Sequence, residues 1–433
     1  MEEKKDNLEN INQQKALIAI RKKLIGKRLS YKEIYSIMDQ IAKKKLGNII
    51  TTYFAASGYS NGFSDQELYY LTKAMVETGE KLDFEGIVAD KHSIGGVPGT
   101  RTTLIVVPIV AAAGFRIPKS SSRAITTPSG TADDMETLAK VKFSKEKIYE
   151  IVKKTNGCIV WGGTFNIAPA DDAIIIVEKP LLFESYDKII VSIMAKKIAF
   201  GSNHVVIDLP YGSTAKVHRE EDVKILKKKF EFLAKKFNIT IRVLPHRTNE
   251  PAGRGIGPIL ETREAIRVLQ QKNNRPLDLE ARSINLAGNL LEICLNDSPK
   301  KLKEFVKKNY DNCFGWATQL LKEGSAFKKM QEIIQAQEGN PNIDSEDLKP
   351  GKFSFKLLVQ KTSKIKHVNS SNITNIARIL GAPEQKGAGI YLERKLGENV
   401  EKGESLCTLY SQSLYNLQEA KKRLADLPIF KLS

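Results

Sequence analysis

A change of pattern about 80 residues into the chain limits its fold more than any other feature. Before it, apolar residues recur at helical spacing over 13–28 and 31–45, and again around 65–79. Two of these stretches open on S-x-x-E, Ser30 to Glu33 and Ser64 to Glu67, the pattern that supplies partners to orphan helix amides. Residues 1–12 are polar and read as frayed. After the change, short apolar runs at 86–89, 158–162, 204–209 and 238–244 read as buried strands. Helical stretches at 102–113, 132–140, 185–200 and 220–237 lie between them, and 258–271, 278–296 and 299–336 return to helix. That alternation predicts an α/β fold with a mostly parallel sheet. The expected domains are a helical one at 1–80, with part of 168–200 packing on it, an α/β one at 81–337, and a small C-terminal α+β one at 338–433. The last begins in a Pro/Gly/Asp/Ser-rich linker, 338–352.

Composition excludes several classes. With 41% hydrophobic and 27% charged residues, the chain has the apolar material for a core, so wholesale disorder is out. The longest apolar run, Leu104 to Phe115, is interrupted by Pro108 and falls short of the roughly 20 residues a membrane span needs. The start, MEEKKDNLEN, has neither a signal core nor a transit pattern, so a soluble cytoplasmic protein without membrane partners is expected. Four dispersed cysteines and five dispersed histidines offer neither a disulfide framework nor a metal site. A net charge of +18 attracts nucleic acid or small phosphorylated substrates. The excess is mostly lysine on amphipathic helices such as 221–237, which reads as a solvated surface. No recognised nucleic-acid motif is present, so no nucleic-acid partner is expected; a basic nucleic-acid-binding protein is the rival from another class.

Three segments could carry chemistry. Asp90-Lys91-His92-Ser93-Ile94-Gly95-Gly96 and the following Thr100-Arg101-Thr102-Thr103 pass from a predicted strand into a helix. Glycines admit an anion to the backbone amides, the helix N-terminus adds positive potential, and Lys91, Ser93, Thr102 and Thr103 offer donors. That describes a phosphate cradle, though not a Walker loop. The second segment, Ser120 to Asp133, is again hydroxyl-rich and reads as either a capping segment or an anion site. Two such loops at strand C-termini match where open α/β sheets bind ligands. The third is Trp161 to Asp172 together with the helix holding Ser192 to Lys197, where Ser192 and Lys196 lie four residues apart on one face, as a site or as a solvated lysine face. Gly253-Arg254-Gly255-Ile256-Gly257 lacks dinucleotide-fingerprint spacing and reads as a structural turn. Gly397 to Leu406 resembles the turn-and-strand piece of biotinyl/lipoyl β-sandwiches, but without the modifiable Met-Lys-Met hairpin it also reads as structural.

Taken in order, D-K-H-S-x-G-G at 90–96, S-R-A-I-T-x-P-x-G-T-A-D at 122–133, S-x-x-x-K at 192–196 and G-R-x-[IV]-G at 253–257 resemble the thymidine phosphorylase/AMP phosphorylase family, from about residue 15 to about residue 425. The resemblance implies a pentosyltransferase in which inorganic phosphate attacks C1′ of a ribosyl group and the base leaves, with no cofactor. It implies Lys91, Ser93, Thr102, Thr103, Ser122 and Thr131 as phosphate ligands. Nucleotide contacts fall on Gly96, Ser122, Arg123, Ala124, Ile125, Thr126, Thr127, Thr131, Ser192, Lys196 and Lys216, and the catalytic residues are Glu184, as proton donor to the base, and His92. The active site is expected in a cleft between the helical and α/β domains.

Pyrimidine phosphorylases have an L-R-D triplet whose arginine grips the base carbonyl. The matching place here is read as Ala170-Asp171-Asp172, and an ionised carboxylate cannot donate to that carbonyl. The P-x-G-x-R-T-T, S-R-A-I-T and A-P-A-D-D forms resemble the AMP phosphorylase branch instead. The implied reaction converts AMP, and also CMP and UMP, to free base and ribose 1,5-bisphosphate; the alternative is a thymidine or pyrimidine nucleoside phosphorylase. AMP phosphorylases usually carry an extra small N-terminal domain, whereas this chain is expected to begin with the helical one. A homodimer or higher homo-oligomer is expected.

Overall fold

A computed structural model describes residues 2–163, 166–178 and 185–433, except for the side chains of residues 2–8 and 61. In chain order, α1 (Glu2–Leu24), α2 (Tyr31–Ala42), α3 (Gly47–Asn61) and α4 (Asp65–Glu77) precede the first strand, β1 (Ala89–Ser93). Then follow α5 (Thr103–Ala112), β2 (Ile117–Ser121), α6 (Thr131–Met135), α7 (Lys145–Thr155), β3 (Gly157–Trp161), α8 (Pro169–Glu178), α9 (Tyr186–Ala199) and β4 (His204–Tyr211). Next come α10 (Glu220–Lys236), β5 (Thr240–Arg247), β6 (Gly255–Ile256), α11 (Pro258–Leu269), α12 (Leu277–Asn296), α13 (Lys300–Tyr310), α14 (Cys313–Lys322) and α15 (Ser325–Ala336). The last part holds β7 (Phe353–Leu358), β8 (Ser363–Val368), α16 (Ser370–Ile379), β9 (Gly389–Leu392), β10 (Asn399–Val400), β11 (Ser405–Ser411), α17 (Leu414–Arg423) and β12 (Phe430–Leu432).

The chain forms two compact units. The first comprises 1–86, 162–203 and 224–241, the second 87–161, 204–223 and 242–433. The first unit is helical. Ser30 and Ser64 close the two expected capping boxes with Glu33 and Glu67. Glu67 does more than cap: it also accepts from the buried Lys23 ammonium at 3.0 Å and from Arg28 at 2.8 Å. A capping residue has thereby become the ionic centre of the bundle, held well below the ordinary carboxylate range, to about 2. Burial opposes that shift; the Ser64 amide, Arg28 and Lys23 outweigh it.

The second unit contains a sheet in the order β5-β4-β1-β2-β3. β1 pairs in parallel with β4, β2 with β3, and a parallel bridge from Val88 to Arg116 joins the two sets. Helix α5 is apolar and buried from Leu104 to Ala111, and packs in one core with Leu286, Leu290, Trp316, Ile333 and Ile334. A second core lies in the C-terminal part, around Ile365, Val368, Ile373, Ile390 and Leu409. Its antiparallel sheet has the order β6-β9-β11-β7, so Gly255–Ile256, expected as a turn, is a strand of that sheet.

Several elements differ from expectation. The first strand is Ala89–Ser93 rather than 86–89, because Asp90 and Lys91 are buried polar residues that an apolar pattern cannot register. Strand β2, Ile-Pro-Lys-Ser-Ser, was missed on the same ground, since Lys119 is buried beside Asp90. The helical stretch expected over 299–336 is divided into three helices, broken where Asn312 caps α14 and where Gly324 turns left-handed. Helix α1 also begins at Glu2, where a frayed start was expected.

Replacing Glu67 by Ala removes the buried carboxylate from Lys23 and Arg28 and should lower stability by about 3 kcal/mol in denaturant unfolding. Because the folded carboxyl sits at about 2, its contribution should be complete above the unfolded value near 4.3 and fade as pH falls toward 2. An acid titration of wild type against Glu67→Ala checks this through a difference that shrinks below pH 4.

Candidate active site

Strand alternation puts Lys91 and Ser93 on one face of β1 and turns His92 to the other. The sheet order reverses between β1 and β4, and Ser93, the last residue of β1, is the register partner of Asp208 within β4. This is the switch point at which an open α/β sheet leaves a crevice. Lys91 is fully buried and donates to Thr102 Oγ1 at 2.7 Å and Thr103 Oγ1 at 3.4 Å, where α5 begins. Ser93 donates to Asp208 Oδ2 at 2.9 Å, and Arg282 donates to Asp208 and to His246 Nδ1.

Charge around this point is unevenly balanced. Burial lowers Lys91 to about 8; Asp208 opposes the shift, while Arg282 and Arg101 add to it. Burial also lowers His246 to about 4, with Arg282 and Lys91 adding to the effect against Asp208. Asp208 stays below the usual carboxylate range despite burial, because Lys91, Arg282 and His246 surround it. A group that brings negative charge to Lys91 would relieve its depressed basicity.

Gly96 explains why the loop after β1 needs glycine. Its φ is +84°, and a Cβ there would meet the Lys216 backbone nitrogen at 2.6 Å. Two expected nucleotide contacts, Gly96 and Lys216, are therefore neighbours.

The Ser122 to Thr131 loop is organised by acids that follow it on α6. Asp133 accepts from the Ala124 amide at 2.7 Å, the Gly130 amide at 3.0 Å and Arg123 at 2.9 Å. Arg123 also binds Glu136 at 2.7 and 2.8 Å, which with Lys386 lowers that carboxyl to about 2. Arg123 therefore holds the loop rather than standing as an uncommitted cation. A side chain on Gly130 would strike Ser122 O at 2.5 Å, so the two ends of the loop touch. Arg101 ties this loop to the first: it donates to Ser129 O at 2.9 Å, to Thr131 Oγ1 at 3.4 Å and to Glu261 at 2.8 Å, and pairs with Asp134. Burial raises both Asp134 and Glu261, with Arg101 opposing it.

In the helical unit, Ser192 and Lys196 both bind Asp171 Oδ2, each at 2.7 Å. Asp171 is fully buried, and its Oδ2 is committed to these two residues. It stays ionised, as Lys196, Lys188 and Ser192 outweigh its burial. Glu184 lies outside the described residues.

Sequence reasoning named Lys91, Ser93, Thr102, Thr103 and the Ser122–Thr131 loop; it did not name Asp208, Arg282, His246, Arg101, Asp134 and Glu261, which the fold brings against them. Asp208 carried a signal: it is the one acid inside the apolar run His204-Val-Val-Ile-Asp-Leu. Arg282 and Glu261 carried none, because charged residues on amphipathic helices are ordinary.

Comparison with known proteins follows this architecture. A helical-bundle model of a glycosyl transferase family matches residues 18–79 and the a/b-domain model of the same family matches 85–312. The model of a pyrimidine nucleoside phosphorylase C-terminal domain matches 364–427. Anthranilate phosphoribosyltransferase from Thermus thermophilus shares the fold, with a TM-score of 0.60 at 16% identity over 74% of this chain and 99% of that one. A Thermofilum pendens protein named AMP phosphorylase is 42% identical over 95% of this chain and 77% of its own length. One from Methanocaldococcus jannaschii with the same name is 42% identical over 94% and 79%. A Legionella pneumophila (strain Paris) protein named "Putative thymidine phosphorylase" is 41% identical over 95% and 77%. The class is that of the glycosyl-transferring enzymes. Within it, the chain belongs to the glycosyl transferase family whose members carry the names AMP phosphorylase and thymidine phosphorylase. Among the described residues, no helix is long and apolar enough to cross a membrane.

Replacing Arg101 by Met should leave Asp134 and Glu261 buried without their shared cation, at a cost of about 3–5 kcal/mol. Denaturant unfolding measures the loss, and adding Glu261→Gln to the variant should recover part of it.

Proposed function

We propose that this protein is a nucleoside-monophosphate phosphorylase. It takes AMP, and also CMP and UMP, with inorganic phosphate and yields the free base and ribose 1,5-bisphosphate. One observation carries the reading: two loops rich in hydroxyl and amide donors, joined by Arg101, accompany a buried lysine of lowered basicity at the switch point. A nucleoside needs one such place, for the attacking phosphate. A nucleotide brings a second phosphoryl group and needs two.

In this reading Lys91, Ser93, Thr102, Thr103, Ser122 and Thr131 bind and orient phosphate. An oxygen of that phosphate forms the new bond to C1′ as the bond to the base breaks, and the base takes up a proton assigned to Glu184. Holding the anionic nucleophile against the reacting carbon supplies orientation, and the lysine offsets charge at the nucleophile. Gly96, Lys216 and the segment from Ser122 to Thr127 bind the nucleotide. Ser192 and Lys196 contact base or sugar, with Asp171 fixing both. The enzyme works in the cytoplasm as a homo-oligomer, with phosphate as co-substrate and no cofactor. The second reading, a thymidine phosphorylase, is favoured by the Legionella relative's name and the C-terminal domain match.

Base release from AMP, CMP, UMP, thymidine and uridine, with and without phosphate, separates the two. Phosphate-dependent adenine release from AMP is expected, and release from thymidine alone would install the second reading. Lys91→Met should lower kcat/KM for phosphate at least about a hundredfold. Because Lys91 sits at about 8 in the free protein, kcat/KM for phosphate should fall as pH rises through that value, approaching tenfold per pH unit. A profile flat to pH 9.5 would remove the lysine from this role.

A further inference from the structure

The loop from Ser122 to Thr131 is anchored unevenly. Its ends, Ser122 to Ala124 and Ser129 to Thr131, are held by Asp133, Arg101 and the close approach at Gly130. Its middle, Ile125 to Pro128, has a local bond from Thr127 Oγ1 to Ser129 O at 2.7 Å. The long-range hydrogen bond described for that middle comes from the other end of the chain: Arg378 donates to Ile125 O at 2.6 Å, across 253 residues.

Arg378 is well placed to be rigid. It lies in the last turn of α16, a helix capped by Asn369 and packed through Ile373, Ile376 and Ala377 into the C-terminal core. A neighbouring residue of the same domain, Lys386, approaches Glu136 at 3.0 Å and Asp133 at 3.4 Å, the two acids that hold Arg123. Two cations of the C-terminal domain thus bear on one loop, one through a backbone carbonyl and one through the carboxylates behind it. A surface contact with no task would not need a charged donor aimed at a main-chain oxygen, the geometry that fixes a peptide plane.

We propose that Arg378 is a positioning residue for nucleotide binding: it sets the Ile125–Thr127 backbone so that its amides and the Thr126 and Thr127 hydroxyls meet the nucleotide. The C-terminal domain then contributes to substrate affinity without touching substrate. This inference rests on the reading of that loop as a nucleotide contact. It also separates the two substrates, because the phosphate ligands lie in β1, the start of α5 and the ends of the loop, which Arg378 does not touch.

The test is steady-state kinetics of Arg378→Ala and Arg378→Lys on the full chain, with melting temperatures alongside. Arg378→Ala should raise the KM for AMP about tenfold, leaving the KM for phosphate and kcat within about threefold. Arg378→Lys, which keeps one donor, should recover part of the AMP affinity. An unchanged KM for AMP, or equal losses for both substrates with a lowered melting temperature in both variants, would overturn the proposal. Absence of AMP turnover in the wild type would instead overturn the functional reading beneath it.

Discussion

The buried ammonium of Lys91 is the interaction on which the second unit turns. A lysine with no exposure costs several kcal/mol unless its surroundings compensate, and here compensation is incomplete. Asp208 draws the charge in, while Arg282 and Arg101 push against it. The hydroxyls of Thr102 and Thr103 solvate the ammonium where water cannot. That arrangement accounts for the polar end of β1, the hydroxyls where α5 begins and the acid inside β4. Replace Lys91 with an apolar residue, and Asp208 keeps Arg282 but loses a reason to be buried.

The loops around that lysine are held by ion pairs rather than by apolar packing. Asp133 gathers two amides and a guanidinium, and Arg101 gathers two carboxylates, a hydroxyl and a carbonyl. Buried pairs of this kind contribute little net stability, but breaking one partner is costly, so they fix geometry. Helix α11 is central to this. Glu261 accepts from the Gly257 amide and from Arg101, and Glu264 accepts from the Arg254 amide at 2.8 Å. One helix therefore bears on the first loop and on the Gly253–Gly257 segment together. Gly255 and Ile256 of that segment form a strand of the C-terminal sheet, which joins that domain to the same framework.

Much of the fold was legible because it rests on local rules. Both capping boxes closed as their spacing required, and the apolar run of α5 became the central helix. The two segments rich in glycine and hydroxyls stood out too, and the fold joins them through Arg101. What escaped were residues whose meaning is set by distant partners. The polar strands around Lys91 and Lys119 look like loops until Asp208 and Asp90 neutralise them. Arg123 reads as a cation open to a ligand; the fold commits it to two acids, as it does Arg101. Arg378 carried no signal at all, because a carbonyl 253 residues away gives an arginine its purpose.

The two units repeat one piece of chemistry. In each, a serine hydroxyl donates to a buried aspartate that also carries the field of a lysine: Ser93 with Asp208 and Lys91, Ser192 with Asp171 and Lys196. The aspartate keeps the lysine charged where burial would strip its proton, and it aims the serine. It also competes with any incoming anion or carbonyl for the same donors. An acceptor at Ser93 must therefore take the proton that Asp208 now holds in a hydrogen bond, and Arg282 remains to satisfy that carboxylate when it does. Among the described residues Asp171 Oδ1 is buried without a hydrogen-bond partner, so within them loss of the Ser192 bond leaves it less well compensated than Asp208. On that ground Ser93 is the readier of the two serines to turn toward a ligand, while Ser192 stays with its aspartate and presents its lone pairs.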